Sequence, residues 1–232
     1  VHGVSVCPYH GYQGGMFSDH RSLHNAIVEA VSHTEQEARL RIREIAVSVP
    51  APFCRLVMTE AVLPIGSRSK RVMAEDIDDV ISLSLKKVKL SGYVLMHSTP
   101  VSFTVGGIVS STLPTGAKTE ELGALVSHMY VREDFVKALE QVLATLDIEI
   151  SMSVSSQLCG ALAIIPEKER VRPAILIDVG YTHTDVSLVE NAALTDMRTI
   201  EIGGKHFASD LAFGLDVPLE TAEQVKRRYV FL

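Results

Sequence analysis

The stretch ILIDVGYTHTDVSLVENAALTDMRTIEIGGKHFASD, Ile175 to Asp210, concentrates the residues that could do chemistry. An apolar strand (Ile175, Leu176, Ile177) delivers an acid, Asp178, and then Gly180. A polar turn with the hydroxyls of Thr182 and Thr184 leads to Asp185 and a second strand, in which Val186 and Leu188 alternate with polar residues. Farther on, Gly203 and Gly204 open a helix. Strand, polar hairpin and paired-glycine turn are the parts with which a protein wraps backbone N–H donors around phosphates, since glycine lets the backbone come close. Glu223 and Lys226 stand three apart on one face of a later helix, as a carboxylate and an ammonium.

Plainer readings stand beside these. Tyr181, Thr182 and His183 suit an ordinary polar hairpin, and Glu223 with Lys226 suits a surface ion pair. His20 and His24 share a helical i,i+4 face, but no third ligand is near in sequence, so a solvated helix start is the better reading. His97 reads as a half-buried histidine in a strand pair, and Gly106 to Lys118 as a long polar surface loop.

The elements that must position these groups alternate along the chain. His2 to Cys7 reads as a strand, followed by a glycine-rich connection, Pro8 to Gly15. Asp19 can cap a helix with Leu23, Ala26, Ile27, Ala30 and Val31 on one face. A strand from Glu44 to Val49 ends at Pro50-Ala-Pro52, a domain boundary. Then come a strand (Arg55 to Leu63), a basic polar turn (Pro64 to Lys70), a helix (Ala74 to Lys89), two strands (Tyr93 to His97, Val101 to Val105) and a returning strand (Leu122 to Val131). Two helices follow, carrying Phe135, Ala138, Leu139, Val142, Leu143 and Leu146, then Leu158, Ala161, Leu162 and Ile165 up to Pro166, which cannot donate a helical hydrogen bond. The last element is an amphipathic helix from Pro218 to Arg228.

With 232 residues, 47% of them hydrophobic, the chain can bury a sizeable core. A net charge of −6 without a basic run argues against a nucleic-acid groove. Cys7, Cys54 and Cys159 show no paired spacing, which fits a reducing cytoplasm better than a disulfide framework or a zinc site. No apolar run is long enough to cross a bilayer. The chain opens without Met inside what reads as a strand and stops at Tyr229-Val-Phe-Leu232, and so reads as part of a longer protein.

Taken in order, five segments resemble the FtsA family of bacterial cell-division proteins: VHGVSVCPYHGYQGGMFSD, AEDIDDVISLSL, the strand pair carrying Leu95-Met-His97, Pro100 and Phe103, the hairpin from Asp178, and IEIGGKHFASDLAFGLDVPLETAEQVKRRY. The resemblance implies an α/β, actin-like (ribonuclease H-like) ATPase fold with an inserted small α+β subdomain. It places subdomain IA at 1–50 and 129–172, the insert IC at 51–128 and the start of IIA at 173–232. The implied ligands are ATP and Mg2+, with Asp178 holding the metal through water. Gly180, Thr182, Thr184, Gly203 and Gly204 would line the phosphates, and Glu223 and Lys226 would bracket the ribose and adenine. No catalytic residue is assigned. The superfamily runs Asp-x-Gly-Gly-Gly-Thr-Thr-Asp where this chain has Asp178-Val-Gly-Tyr-Thr-His-Thr-Asp185, and the preceding helix offers Gln157 but no acid.

The main reading is therefore a cytoplasmic scaffold of the division machinery with degenerate nucleotide use. It would self-associate through 51–128 and have partners such as FtsZ, met mostly through regions this chain lacks. The parent protein would sit at the inner face of the cell membrane by a targeting helix, with no membrane contact by this chain. The alternatives are a working ATPase whose assembly follows nucleotide state and a pilus-assembly actin-like protein.

Overall fold

The computed structural model describes residues 1–13, 15–66 and 70–228. Gly14 of the glycine-rich connection, Ser67-Arg68-Ser69 of the expected basic turn and Tyr229 to Leu232 lie outside them. A short hairpin, β1 (Tyr12–Gln13) and β2 (Met16–Phe17), precedes α1 (His20–Ala38). Asp19 caps α1 as expected, its carboxylate accepting from the Ser22 N–H. β3 (Glu44–Val49) falls on the residues read from the sequence and pairs in parallel with β8 (Glu149–Ser155), a strand the sequence reading passed over. Between them come a 3-10 turn (Ala51–Phe53), β4 (Cys54–Pro64), α2 (Ala74–Leu85), β5 (Tyr93–Val105), β6 (Ile108–Ser110), β7 (Glu121–Arg132) and α3 (Glu133–Ala144). The proline pair is not a loose linker: Ala51 and Phe53 are buried, and Phe53 stacks on Phe17 and packs at a tilt against Phe135, at ring-centroid distances of 5.2 and 4.6 Å.

The segment from Cys54 to Arg132 folds into a four-stranded antiparallel sheet in the order β4-β7-β5-β6. One face receives α2, through Ile77 and Val80 packed on Ala61, Phe103, Leu122, Ala124 and Val126. The other receives a second, three-stranded antiparallel sheet of β9 (Ala174–Val179), β10 (Thr184–Glu190) and β11 (Ala193–Ile200). There Met129 of β7 packs with Val189 and Leu194, and with Leu158 and Ala161 of α4 (Ser156–Ile164). Covered on both faces, β7 is buried almost end to end, and its sequence is accordingly a near-continuous apolar run. Two helices, α5 (Gly204–Leu215) and α6 (Leu219–Arg228), close the chain.

Several expectations need correction. Val1 to Cys7 forms no strand: the Val4 N–H goes to the Glu37 carboxylate of α1, because no neighbouring strand offers a ladder. The two strands expected over 93–105 are one strand, bulged at Leu95/His97 and Pro100/Ser102. Pro100 is tolerated because β6 covers only Phe103 to Val105, so the outer edge is unpaired there. The loop from Gly106 contains β6, entered through Gly106 and Gly107, whose φ of 56° and 80° suit a tight hairpin. α2 ends at Leu85 rather than Lys89. β11 was also missed.

Beneath α2, His128 of β7 is fully buried among hydroxyls. Its Nε2 lies 2.9 Å from Thr59 Oγ1 and 3.0 Å from Ser84 Oγ, and its Nδ1 2.8 Å from Ser98 Oγ. Thr59 and Ser84 donate their own protons to the carbonyls of Ser84 and Ile81. They therefore offer only lone pairs to Nε2, which must carry the proton. Burial lowers the pKa of His128, and of His97 beside it in the sheet, below the ordinary 6.5. The unfolded chain then binds more protons below that value, so this contribution to stability is complete above pH 6.5 and is lost as pH falls through the depressed folded-state values. A thermal-melt series from about pH 7.5 to about 5 should fall more steeply in the parent than in a His128→Gln variant; equal slopes would contradict this.

Candidate functional site

β9 ends in a tight hairpin closed by the Gly180 N–H donating to the His183 carbonyl at 2.9 Å. A Cβ at Gly180 would lie 2.8 Å from that same carbonyl oxygen, so a glycine is required there by proximity. Asp178 and Asp185 stand directly opposite across the β9–β10 ladder and thus on the same face. Their surroundings differ. Asp178 is exposed, whereas Asp185 is buried. The Asp185 carboxylate accepts from Gln157 Nε2 at 3.0 Å and from Thr199 Oγ1 at 2.5 Å, with His183 Nε2 at 3.5 Å. The acid that closes the hairpin thereby ties α4, β10 and β11 together. Gln157, which the preceding helix offers where no acid stands, spends its amide on this clamp. Sequence reasoning missed Thr199 because β11 was unread. Burial pushes the neighbouring Cys54 thiol up to about 12, which keeps it neutral.

The glycine pair meets the hairpin from the other side. A Cβ at Gly203 would lie 2.6 Å from the Gly180 carbonyl oxygen and 2.8 Å from both the His183 nitrogen and the Tyr181 carbonyl carbon. All three are backbone atoms that no side-chain rotation can move. This contact sets the leading amides of α5 against the hairpin: Gly204 N–H donates to Gly180 O at 2.9 Å and Lys205 N–H to Tyr181 O at 2.7 Å. The Gly203 N–H is taken by His206 Nδ1 at 3.1 Å. Helix N-termini normally present such amides to an anion. Here two backbone carbonyls and an imidazole hold them, and a phosphate oxygen would have to displace these groups.

α6 supplies the remaining wall. Lys226 Nζ donates to the Gly204 carbonyl at 2.8 Å and to Glu223 Oε2 at 2.6 Å, and sits 5.5 Å above the centroid of the Tyr181 ring. Arg227 Nε donates to Glu223 Oε1 at 2.9 Å. The bonds from Lys226 first, and then Arg227, hold the Glu223 carboxyl below its usual range. Gly180, Gly203, Gly204, Glu223 and Lys226 thus converge on one corner, with the exposed Tyr181 ring against Lys226. Thr184 turns its hydroxyl to the Ile202 carbonyl at 2.7 Å, and Thr182 is exposed beside His183. Chemically the corner can hold a polar ligand against an ammonium and a ring. In the form seen here its donors are satisfied by the chain itself.

Gly203→Ala should destabilise the protein by about 2 kcal/mol or more, because the backbone contact cannot relax. Gly214→Ala, where a Cβ meets nothing within 4 Å on the same helix, should be neutral or stabilising by up to ~1 kcal/mol. Denaturant melts of the two variants check the contrast, and similar effects at both sites would contradict it.

Comparison with known proteins places this geometry. The family model described as cell division protein FtsA matches residues 175–230, the segment that contains the hairpin, the glycine pair and α6. The FtsA of Streptococcus pneumoniae is 24% identical over 232 residues, spanning 99% of this chain and 50% of that protein. The FtsA proteins of Pseudomonas aeruginosa and Bacillus subtilis are 22% and 24% identical, over 99% and 97% of this chain and 54% and 51% of theirs. The chain therefore spans about half the length of the curated relatives it matches. Among solved structures, the PilM-PilN type IV pilus biogenesis complex aligns with a TM-score of 0.59 at 18% identity, covering 95% of this chain and 60% of that one, a likeness of fold. Along nearly all of its length this chain is similar to the cell division protein FtsA, and its fold is of the actin-like type.

Proposed function

We propose that the chain is the part of an FtsA-like bacterial division protein that comprises subdomain IA (1–50, 129–172), the inserted subdomain IC (51–128) and the start of IIA (173–232). In this reading it serves as a scaffold, through contacts with division-machinery proteins such as FtsZ and through self-association of the insert, on the inner face of the cell membrane. ATP and Mg2+ are the ligands of the ancestral pocket. Asp178 would be the metal-side acid, Gly180, Thr182, Thr184, Gly203 and Gly204 the phosphate wall, and Glu223 and Lys226 the nucleoside wall. These residues fit such a ligand in type. In arrangement, the leading α5 amides are already bonded to the Gly180 and Tyr181 carbonyls. No step of hydrolysis is assigned to any side chain.

The similarity to FtsA proteins along nearly the whole chain carries the division-scaffold reading. The occupied α5 N-terminus supports weakened nucleotide use. A second reading, a working nucleotide-binding protein, has one observation in its favour: the five residues meeting at Lys226 are those a nucleotide would need. Among the described residues no helix is long and apolar enough to cross a membrane.

Calorimetric titration of magnesium-ATP into the protein should show binding no tighter than about 1 mM, or roughly 4 kcal/mol. Tyr181→Gly, which removes the ring beneath Lys226, should strengthen it. Micromolar binding by the parent that vanishes in Lys226→Ala would overturn the scaffold reading in favour of a working pocket.

A further inference from the structure

We propose that Cys7, Glu29 and His33 form a Zn2+ site that fastens the N-terminal segment to α1. Glu29 and His33 are four apart on α1 and so share one face. Cys7 reaches that face from a segment with no strand partner among the described residues. A sulfur, an imidazole nitrogen and a carboxylate oxygen of these residues all lie within 4.8 Å of one another. In a tetrahedral zinc site, bonds of about 2.0–2.3 Å put neighbouring ligand atoms roughly 3.5 Å apart. Small side-chain rotations close the difference: Glu29 and His33 are exposed and free to make them, and Cys7 is half-buried beside them.

Backbone contacts place Cys7 there. The segment runs alongside α1, with the Val4 N–H donating to Glu37 Oε2 at 2.8 Å and Ser5 Oγ donating to the Ala30 carbonyl at 2.8 Å. A Cβ on Gly3 would lie 2.9 Å from the Thr34 carbonyl oxygen, so only glycine lets the chain approach the helix this closely. Gly3 against Thr34, Val4 against Glu37 and Ser5 against Ala30 fix the register that brings Cys7 to Glu29 and His33.

The donor set selects the ion. Thiolate, imidazole and carboxylate together suit Zn2+, whereas Mg2+ and Ca2+ take oxygen ligands. Three protein ligands leave a fourth position for water. The thiol must lose its proton on binding, so uptake of the metal releases acid. The site shares no residue with the hairpin corner and stands or falls independently of nucleotide binding.

The test is titration of the metal-free protein with Co2+, followed by displacement with Zn2+ and by zinc calorimetry. The expected result is one ion per chain with a near-ultraviolet thiolate-to-cobalt charge-transfer band. Cys7→Ser should abolish that band and weaken Zn2+ binding at least tenfold, about 1.4 kcal/mol. His33→Ala should weaken binding by a similar factor. Cys159→Ser, at the exposed thiol, and His20→Ala, on the same helix, should change neither. Circular dichroism of each metal-free variant should match the parent. Zinc binding by Cys7→Ser as tight as the parent's, or a cobalt spectrum without a thiolate band, would overturn the proposal.

Discussion

The corner depends on one constraint, the backbone-to-backbone contact between Gly203 and the 180–183 turn. No residue with a Cβ fits where the Gly180 carbonyl oxygen would lie 2.6 Å away. From this contact follow the orientation of α5, the capture of its leading amides by the hairpin carbonyls, and the placement of α6 so that Lys226 reaches back to the Gly204 carbonyl. One glycine therefore converts what would be an open anion site at a helix N-terminus into a self-satisfied corner. Tyr181 contributes to the same end, lying under the ammonium that would otherwise face a ligand.

A second constraint holds this corner to the rest of the molecule. The three-stranded sheet that carries the hairpin lies on the four-stranded sheet of the central segment, and polar bonds join them as well as the apolar contact. Ser127 Oγ donates to the Leu194 carbonyl at 2.6 Å, and Asn191 Nδ2 to the Val101 carbonyl at 2.9 Å. Asp185 adds the link to α4 through Gln157. A buried carboxylate with a hydroxyl and an amide as donors is well satisfied, and removing either donor would leave a costly charge. The hairpin is thus braced on both sides: Gly203 and α5 on one, and the Asp185 clamp on the other.

Much of this was legible in the sequence where local chemistry decides the outcome. The Asp19 cap, the bounds of β3, the Gly203 start of α5 and the amphipathic α6 follow from capping, alternation and glycine placement. So does the convergence of Gly180, Gly203, Gly204, Glu223 and Lys226, through the resemblance that their order carries. What was not legible depends on partners distant in sequence. β8 alternates Ile150, Met152 and Val154 with serines, a strand pattern that is in the sequence and was passed over; only its parallel pairing with β3 depends on a distant partner. β11 went unread, and without it Thr199 could not be placed on Asp185. Val1 to Cys7 has strand-like residues, yet it lies along α1 for want of a ladder. For the same reason, the approach of Cys7 to Glu29 and His33 leaves no trace in cysteine spacing.

The account turns on whether the leading amides of α5 are committed to the hairpin. Residue-resolved hydrogen exchange at Gly204 and Lys205 tests this directly, because the first amides of a helix have no intrahelical partner and ordinarily exchange fast. Protection of both amides on the scale of the β9–β10 ladder is the predicted result. Exchange at the rate of free N-terminal amides would contradict it and would leave the corner open to an anionic ligand.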